Sequence, residues 1–153
     1  MFFLKNQSFN NEKVLIRLDL NVPLDDHLNV TDSTRIQACK ATVDFVINNG
    51  GACVLMAHLG RPEGKQDVFS LSHILNDVSK CFGREVQFIN DCIGHNVEKK
   101  VSQLKSGEIL LLENLRFYKE ETAGDELFAK KLSALADSYI NDAFGKCHRE
   151  NAS

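Results

Sequence analysis

The sequence has no Cys-x-x-Cys pair and no excess of positive charge, and no apolar run approaches the ~18 residues that a membrane helix needs. Its cysteines, Cys39, Cys53, Cys81, Cys92 and Cys147, are odd in number and widely spaced, which argues against a disulfide framework or a zinc ribbon and for a reducing cytoplasm. Met1-Phe2-Phe3-Leu4-Lys5 holds too short an apolar run for a signal peptide. A net charge of −3 argues against a protein that coats nucleic acid. His27, His73 and His95 share no metal-ligand spacing, so no protein-only metal site is expected. No G-x-G-x-x-G follows the first predicted strand, which excludes a dinucleotide fingerprint. Gly60 to Gln66 is one residue short of a P-loop and has Gln66 where Ser or Thr would meet magnesium. No G-x-S-x-G nucleophile elbow is present, and there is no repeat or low-complexity segment.

What is present is a chain of 153 residues, 43% apolar and 25% charged, enough for one domain with a real core. Cys53-Val54-Leu55-Met56-Ala57 is a short apolar run that ends in His58-Leu59-Gly60-Arg61-Pro62. Such a run, bounded by glycine and proline, predicts a strand of a parallel sheet buried on both faces. Val14 to Leu20 alternates, with Val14, Ile16, Leu18 and Leu20 on one face and Leu15, Arg17, Asp19 and Asn21 on the other. Thr31-Asp32-Ser33-Thr34 is rich in helix-capping residues. Ile36, Cys39, Val43, Val46 and Ile47 follow at helical spacing and end at Asn48-Asn49-Gly50-Gly51.

A second helix is expected from Ser70 to Gly83, a strand over Glu85–Ile89 and a helix over Ile93–Leu104. A buried strand over Ile109–Leu112 follows, then a helix carrying Leu127, Phe128, Leu132 and Leu135, and a short strand over Ser138–Ile140. Strands and helices alternate throughout, the pattern of a doubly wound, Rossmann-like α/β fold: three αβα layers around a mostly parallel sheet. The chain stops just past a strand end with no closing helix, which predicts uncovered sheet surface and a piece of a longer protein.

Of six arginines, Arg61, Arg116 and Arg149 each lie a few residues beyond a predicted strand, and Arg35 opens a helix reached from another strand end. Parallel strands put all such ends on one edge, where ligands of this fold class bind. There the arginines form either one pocket for a carboxylate or phosphate, gripped by forked guanidinium donors, or scattered surface ion pairs. Asp19 and Asn21 either bond the hydroxyls of a small polar substrate, or neutralise an arginine and shape the turn before Pro23. His58 is either a charged donor to an anion or a hydrogen-bonded structural histidine. The cysteines read as small buried apolar residues.

Five stretches in this order resemble the phosphoglycerate kinase family: Val14 to Pro23, Asp32-Ser33-Thr34-Arg35-Ile36, His58-Leu59-Gly60-Arg61-Pro62, Leu111 to Phe117 and Asn141-Asp142-Ala143-Phe144-Gly145. The resemblance runs from about Lys13 to Ser153. It implies that residues 1–153 are the incomplete amino-terminal lobe of a two-lobed monomer that moves a phosphoryl group from 1,3-bisphosphoglycerate to ADP. This lobe would bind 3-phosphoglycerate or 1,3-bisphosphoglycerate. The implied substrate contacts are Asp19, Leu20, Asn21, Arg35, His58, Leu59, Gly60, Arg61, Arg116 and Arg149, with Arg35 stabilising charge on the transferring group. The nucleotide and its Mg2+ would belong to the other lobe, which has no match here. The sequence departs from the family at Glu150-Asn151, where alanine and then histidine or a similar residue often follow the arginine. The competing reading is a stand-alone, non-enzymatic α/β module that binds a phosphorylated metabolite.

Overall fold

The computed structural model describes residues 7–143 and 152–153. Five parallel strands form one sheet: β1 (Lys13–Arg17), β2 (Ala52–Met56), β3 (Gln87–Phe88), β4 (Ile109–Leu111) and β5 (Ser138–Asn141), in the order β3-β4-β2-β1-β5. The helices are α1 (Thr34–Asn48), α2 (Leu75–Phe82), α3 (His95–Ser102), the single turn α4 (Lys119–Thr122) and α5 (Glu126–Ser133). The doubly wound three-layer fold read from the strand–helix alternation is the one observed.

The strand period of two divides the interior into two cores. Val14, Ile16, Cys53, Leu55, Ile109 and Leu111 face α1 and α2, meeting Ile36, Val43, Val46, Val78 and Phe82. Leu15, Val54, Met56 and Leu110 face the other way, meeting Val97 and Val101 of α3 and Phe128 and Leu132 of α5. β2 is buried along its whole length, as an apolar strand at the centre of a parallel sheet must be.

Several element boundaries differ from the sequence expectation, those of β2, β4 and β5 by a single residue. β1 ends at Arg17 rather than Leu20: Leu18 N still donates to Met56 O (3.0 Å), but farther on the donors turn to local partners, Asn21 N to Asp19 Oδ1 (3.2 Å) and Val22 N to Leu20 O (2.9 Å). The edge strand β3 shrinks to two residues, since Val86 N leaves the ladder for Ser79 Oγ at 3.2 Å. Ser70 does accept from Ser72 N as a cap, but its first turn, Leu71–Ile74, is a tighter 3-10 turn, and α2 begins at Leu75. α2 then stops at the left-handed Gly83. α3 is shorter than the apolar spacing over Ile93–Leu104 predicts. Leu127, expected on the apolar face of its helix, is 62% exposed, because the buried stripe of α5 runs through Phe128 and Leu132, four residues apart.

Cys39, Cys53 and Cys92 are buried and reduced, as small apolar packing groups; Cys147 lies outside the described residues. Burial pushes the Cys39 and Cys53 thiols up to about 12. A raised folded-state value means that the unfolded chain loses these protons first as pH rises. Their contribution to stability is therefore present below about pH 8.5 and declines above it, by roughly 1–2 kcal/mol per thiol near pH ~10. Urea midpoints measured from neutral to alkaline pH should fall, and Cys53→Ala should flatten the fall; an identical slope in that variant would contradict the assignment.

Candidate functional site

Crossovers between parallel strands are right-handed, so a chain that reverses its direction across the sheet must change faces. Here β1 to β2 to β3 advances through α1 and α2 on one face, and β3 to β4 to β5 returns through α3 and α5 on the other. The neighbouring strands β2 and β4 therefore send their carboxyl-terminal loops to opposite faces. That divergence opens a crevice, the position where open α/β sheets bind ligands. The two loops are His58 to Phe69 and Glu113 to Tyr118, and between them lies a cleft of about 680 Å³ lined by Arg61, Pro62, Gly64, Arg116, Phe117 and Lys119, with Glu63 and Glu120 also on its walls.

Buried polar side chains fix the loops. Asn114, fully buried, donates from Nδ2 to Leu59 O (2.8 Å) and Phe69 O (2.9 Å), and its Oδ1 accepts from Arg116 N (3.0 Å). One amide thus ties the β2 loop at two points and sets the backbone of Arg116. Glu113, also buried, accepts from Leu71 N (2.8 Å), Ser70 Oγ (2.7 Å) and Asn114 N (2.9 Å), which joins the loop to the start of the second helical segment. Gly60 has φ +64°, and a Cβ there would lie 2.5 Å from the Phe69 ring. Glycine at this position meets a backbone constraint and a steric one together.

The first strand's loop joins the same edge. Asn21 Oδ1 accepts from Gly60 N at 2.9 Å, and Asn21 O accepts from Arg35 Nη1 at 2.7 Å. Arg35 also approaches Asp19 Oδ1 at 3.4 Å, with both side chains substantially exposed, so the pair adds little stability and leaves the guanidinium open to solvent. Asp19, Asn21, Arg35 and Gly60 form one hydrogen-bonded chain that leads directly to Arg61. Leu20 and Leu59 are core side chains, so only their backbones face outward chemistry. Arg149 and His148 lie outside the described residues.

His58 is 2% exposed, with Nδ1 3.2 Å from Nη2 of Arg17. Arg17, not singled out from the sequence, is 3% exposed and 3.8 Å from Glu121 Oε2, whose side chain is fully buried. Burial lowers the Arg17 pKa, partly offset by Glu121, while Arg116 pushes it in the same direction as burial. An arginine on one face of an otherwise apolar strand was the available sequence signal for this pair. Among the described residues no group of His, Cys, Asp or Glu is placed to hold a metal ion, and no helix is long and apolar enough to cross a membrane.

Fold and site together define an α/β domain of the doubly wound class that gathers Arg35, Arg61 and Arg116 at the carboxyl edge of its sheet. The phosphoglycerate kinase family model matches residues 4–153. The chain is 50% identical to "Phosphoglycerate kinase 3, cytosolic" of Arabidopsis thaliana and 45% identical to the phosphoglycerate kinase of Dictyoglomus turgidum, each over 98% of this chain but only 37% and 38% of the relative. A chloroplastic Arabidopsis relative is 51% identical. The crystal structure of the phosphoglycerate kinase of Pyrococcus horikoshii superposes with a TM-score of 0.87 at 31% identity, covering 97% of this chain and 38% of that one. This chain belongs to the phosphoglycerate kinase family, and it spans little more than a third of the length of these relatives.

Removing the Asn114 amide leaves two buried carbonyls without that donor. Asn114→Ala should therefore cost roughly 1–3 kcal/mol in denaturant unfolding. A loss of only a few tenths would mean that the two loops are held by other contacts.

Proposed function

We propose that this chain is the substrate lobe of a phosphoglycerate kinase, which binds 3-phosphoglycerate or 1,3-bisphosphoglycerate at the carboxyl edge of its sheet. The observation that carries the reading is the convergence of Arg61 and Arg116 on one crevice, with Arg35 tied through Asn21 to the same loop. Three-carbon acids bearing phosphate and carboxylate match such forked donors, and the cluster is local in a protein of net charge −3. Asp19 and Asn21 contact the glycerate hydroxyl end. His58, Arg61, Arg116 and Arg149 contact the anionic groups, and the backbones of Leu20, Leu59 and Gly60 border the site.

In the whole protein the acyl phosphate of 1,3-bisphosphoglycerate loses its phosphoryl group to the terminal phosphate oxygen of ADP. The products are ATP and the free carboxylate of 3-phosphoglycerate. Such transfers need positioning and charge stabilisation more than covalent participation by the protein. Arg35, exposed and permanently charged, stabilises the transferring group by electrostatics rather than as an acid or base. The nucleotide and its Mg2+ are held by a second lobe of a longer, monomeric protein. Closure of the lobes excludes water. By itself this chain binds substrate without turnover, and the cytoplasm is its proposed location.

Titration of the labelled chain with 3-phosphoglycerate, followed by NMR, should give shifts at Arg61 and Arg116 and a Kd on the order of 0.1–1 mM. The absence of shifts at both would remove the reading. Arg61→Ala should weaken binding by about 1–3 kcal/mol through loss of a charge-assisted bond, and an unchanged affinity would take Arg61 out of the site.

A further inference from the structure

Beneath Arg35, Arg61 and Arg116 lies a further cationic group that none of the expected contacts uses. Arg17 ends β1 on the face that also carries Leu15, and its guanidinium is inside the protein. Nη2 is 3.2 Å from His58 Nδ1 and 3.8 Å from Glu121 Oε2; Nη1 donates to Leu18 O at 3.2 Å, and Nε donates to Ser153 Oγ at 3.0 Å. Glu121, on α4 beyond the Arg116 loop, accepts in turn from Ser153 N at 2.7 Å and from Ser153 Oγ. Ala152 N donates to Glu121 O at 2.8 Å. Arg17 and Glu121 therefore join three segments at one point: the β2 loop through His58, the β4 loop through α4, and residues 152–153.

A guanidinium has donors only, so the atom it bonds must accept. An accepting Nδ1 carries no proton, and the single proton of a neutral imidazole is then on Nε2. The charged groups acting on Arg17 are Glu121, Asp19 and Arg116, together with Tyr139. A positively charged His58 would add a second cation directly against Arg17, and its protonated Nδ1 would turn a hydrogen bond into a donor–donor clash.

We propose that Arg17, held by Glu121, is a positioning residue that keeps His58 neutral with its ring proton on Nε2. His58 then acts as an uncharged donor, and the positive charge of the edge is supplied by arginine alone, in place of the charged imidazole considered from the sequence. The relevance to substrate rests on the function proposed above, whereas the tautomer does not, and the two are tested separately.

The test is a long-range proton–nitrogen correlation spectrum of the histidine rings in the 153-residue chain without ligand at neutral pH. The expected result for His58 is an Nδ1 resonance in the unprotonated range and an Nε2 resonance in the protonated range. Arg17→Met, which keeps the aliphatic bulk without a donor, should shift the two resonances toward each other. Arg17→Lys, which restores a donor, should keep them apart. A protonated Nδ1 or averaged nitrogens in the unaltered chain, or an unchanged spectrum in Arg17→Met, would overturn the proposal. If Arg17→Met does not fold, the unaltered chain and Arg17→Lys still decide it, since exchange of the proton to Nδ1 in either one contradicts the assignment. Failure of 3-phosphoglycerate to shift any resonance, with the tautomer as expected, would count against the proposed function and leave the positioning role standing.

Discussion

An all-parallel sheet releases every strand at the same edge, and right-handed crossovers force the chain to change faces when it reverses direction. In this protein both rules act between β2 and β4, the central pair in which one strand leads to α2 and the other to α4 and α5. The crevice is a consequence of winding rather than of any one residue. Arg61 and Arg116, fifty-five positions apart in the chain, stand on its two walls because their strands are neighbours.

A crevice made by diverging loops would be soft without cross-ties, and the ties here are hydrogen bonds made in the dry interior. Asn114 and Glu113 are buried and bonded several times each, and Asn21 bridges from the first strand's loop to Gly60. Buried polar groups that are fully paired restrict geometry more than they add net stability. The Arg17–Glu121 pair extends that logic to charge. A guanidinium removed from water needs a counter-charge and acceptors, and Glu121, Leu18 O, Ser153 and His58 provide them. The edge accordingly has two tiers: the exposed Arg35 and Arg61 with the half-buried Arg116, and beneath them a paired arginine that organises the loops.

Much of this was legible in the residues. Period-two alternation in Val14–Leu20 assigned Leu15 and its neighbours to the correct faces, and helical spacing from Ile36 to Val46 located the buried side of α1. Strand ends were harder, because they are decided by which partner takes each backbone donor; Val86 turns to a serine hydroxyl, and the chain beyond Leu18 folds into its own turn. Leu127 misled because its apolar character said nothing about the angle at which α5 meets the sheet. Arg35, Arg61 and Arg116 were visible as charges placed beyond strands. That Arg61 and Arg116 share one cleft depended on strand order, which the local pattern does not encode. Arg17 and Glu121 escaped notice for a related reason: a charge that pairs across 104 positions looks in sequence like an ordinary surface residue.

The central claim is that separate strand-end loops build one pocket for a small phosphorylated acid. A crystal structure determined with 3-phosphoglycerate tests it most directly. The account predicts ligand density at the carboxyl edge between the β2 and β4 loops, with anionic oxygens bonded to Arg61 and Arg116 and the glycerate end toward Asp19 and Asn21. Density at another surface, or an empty crevice at saturating ligand, would contradict it.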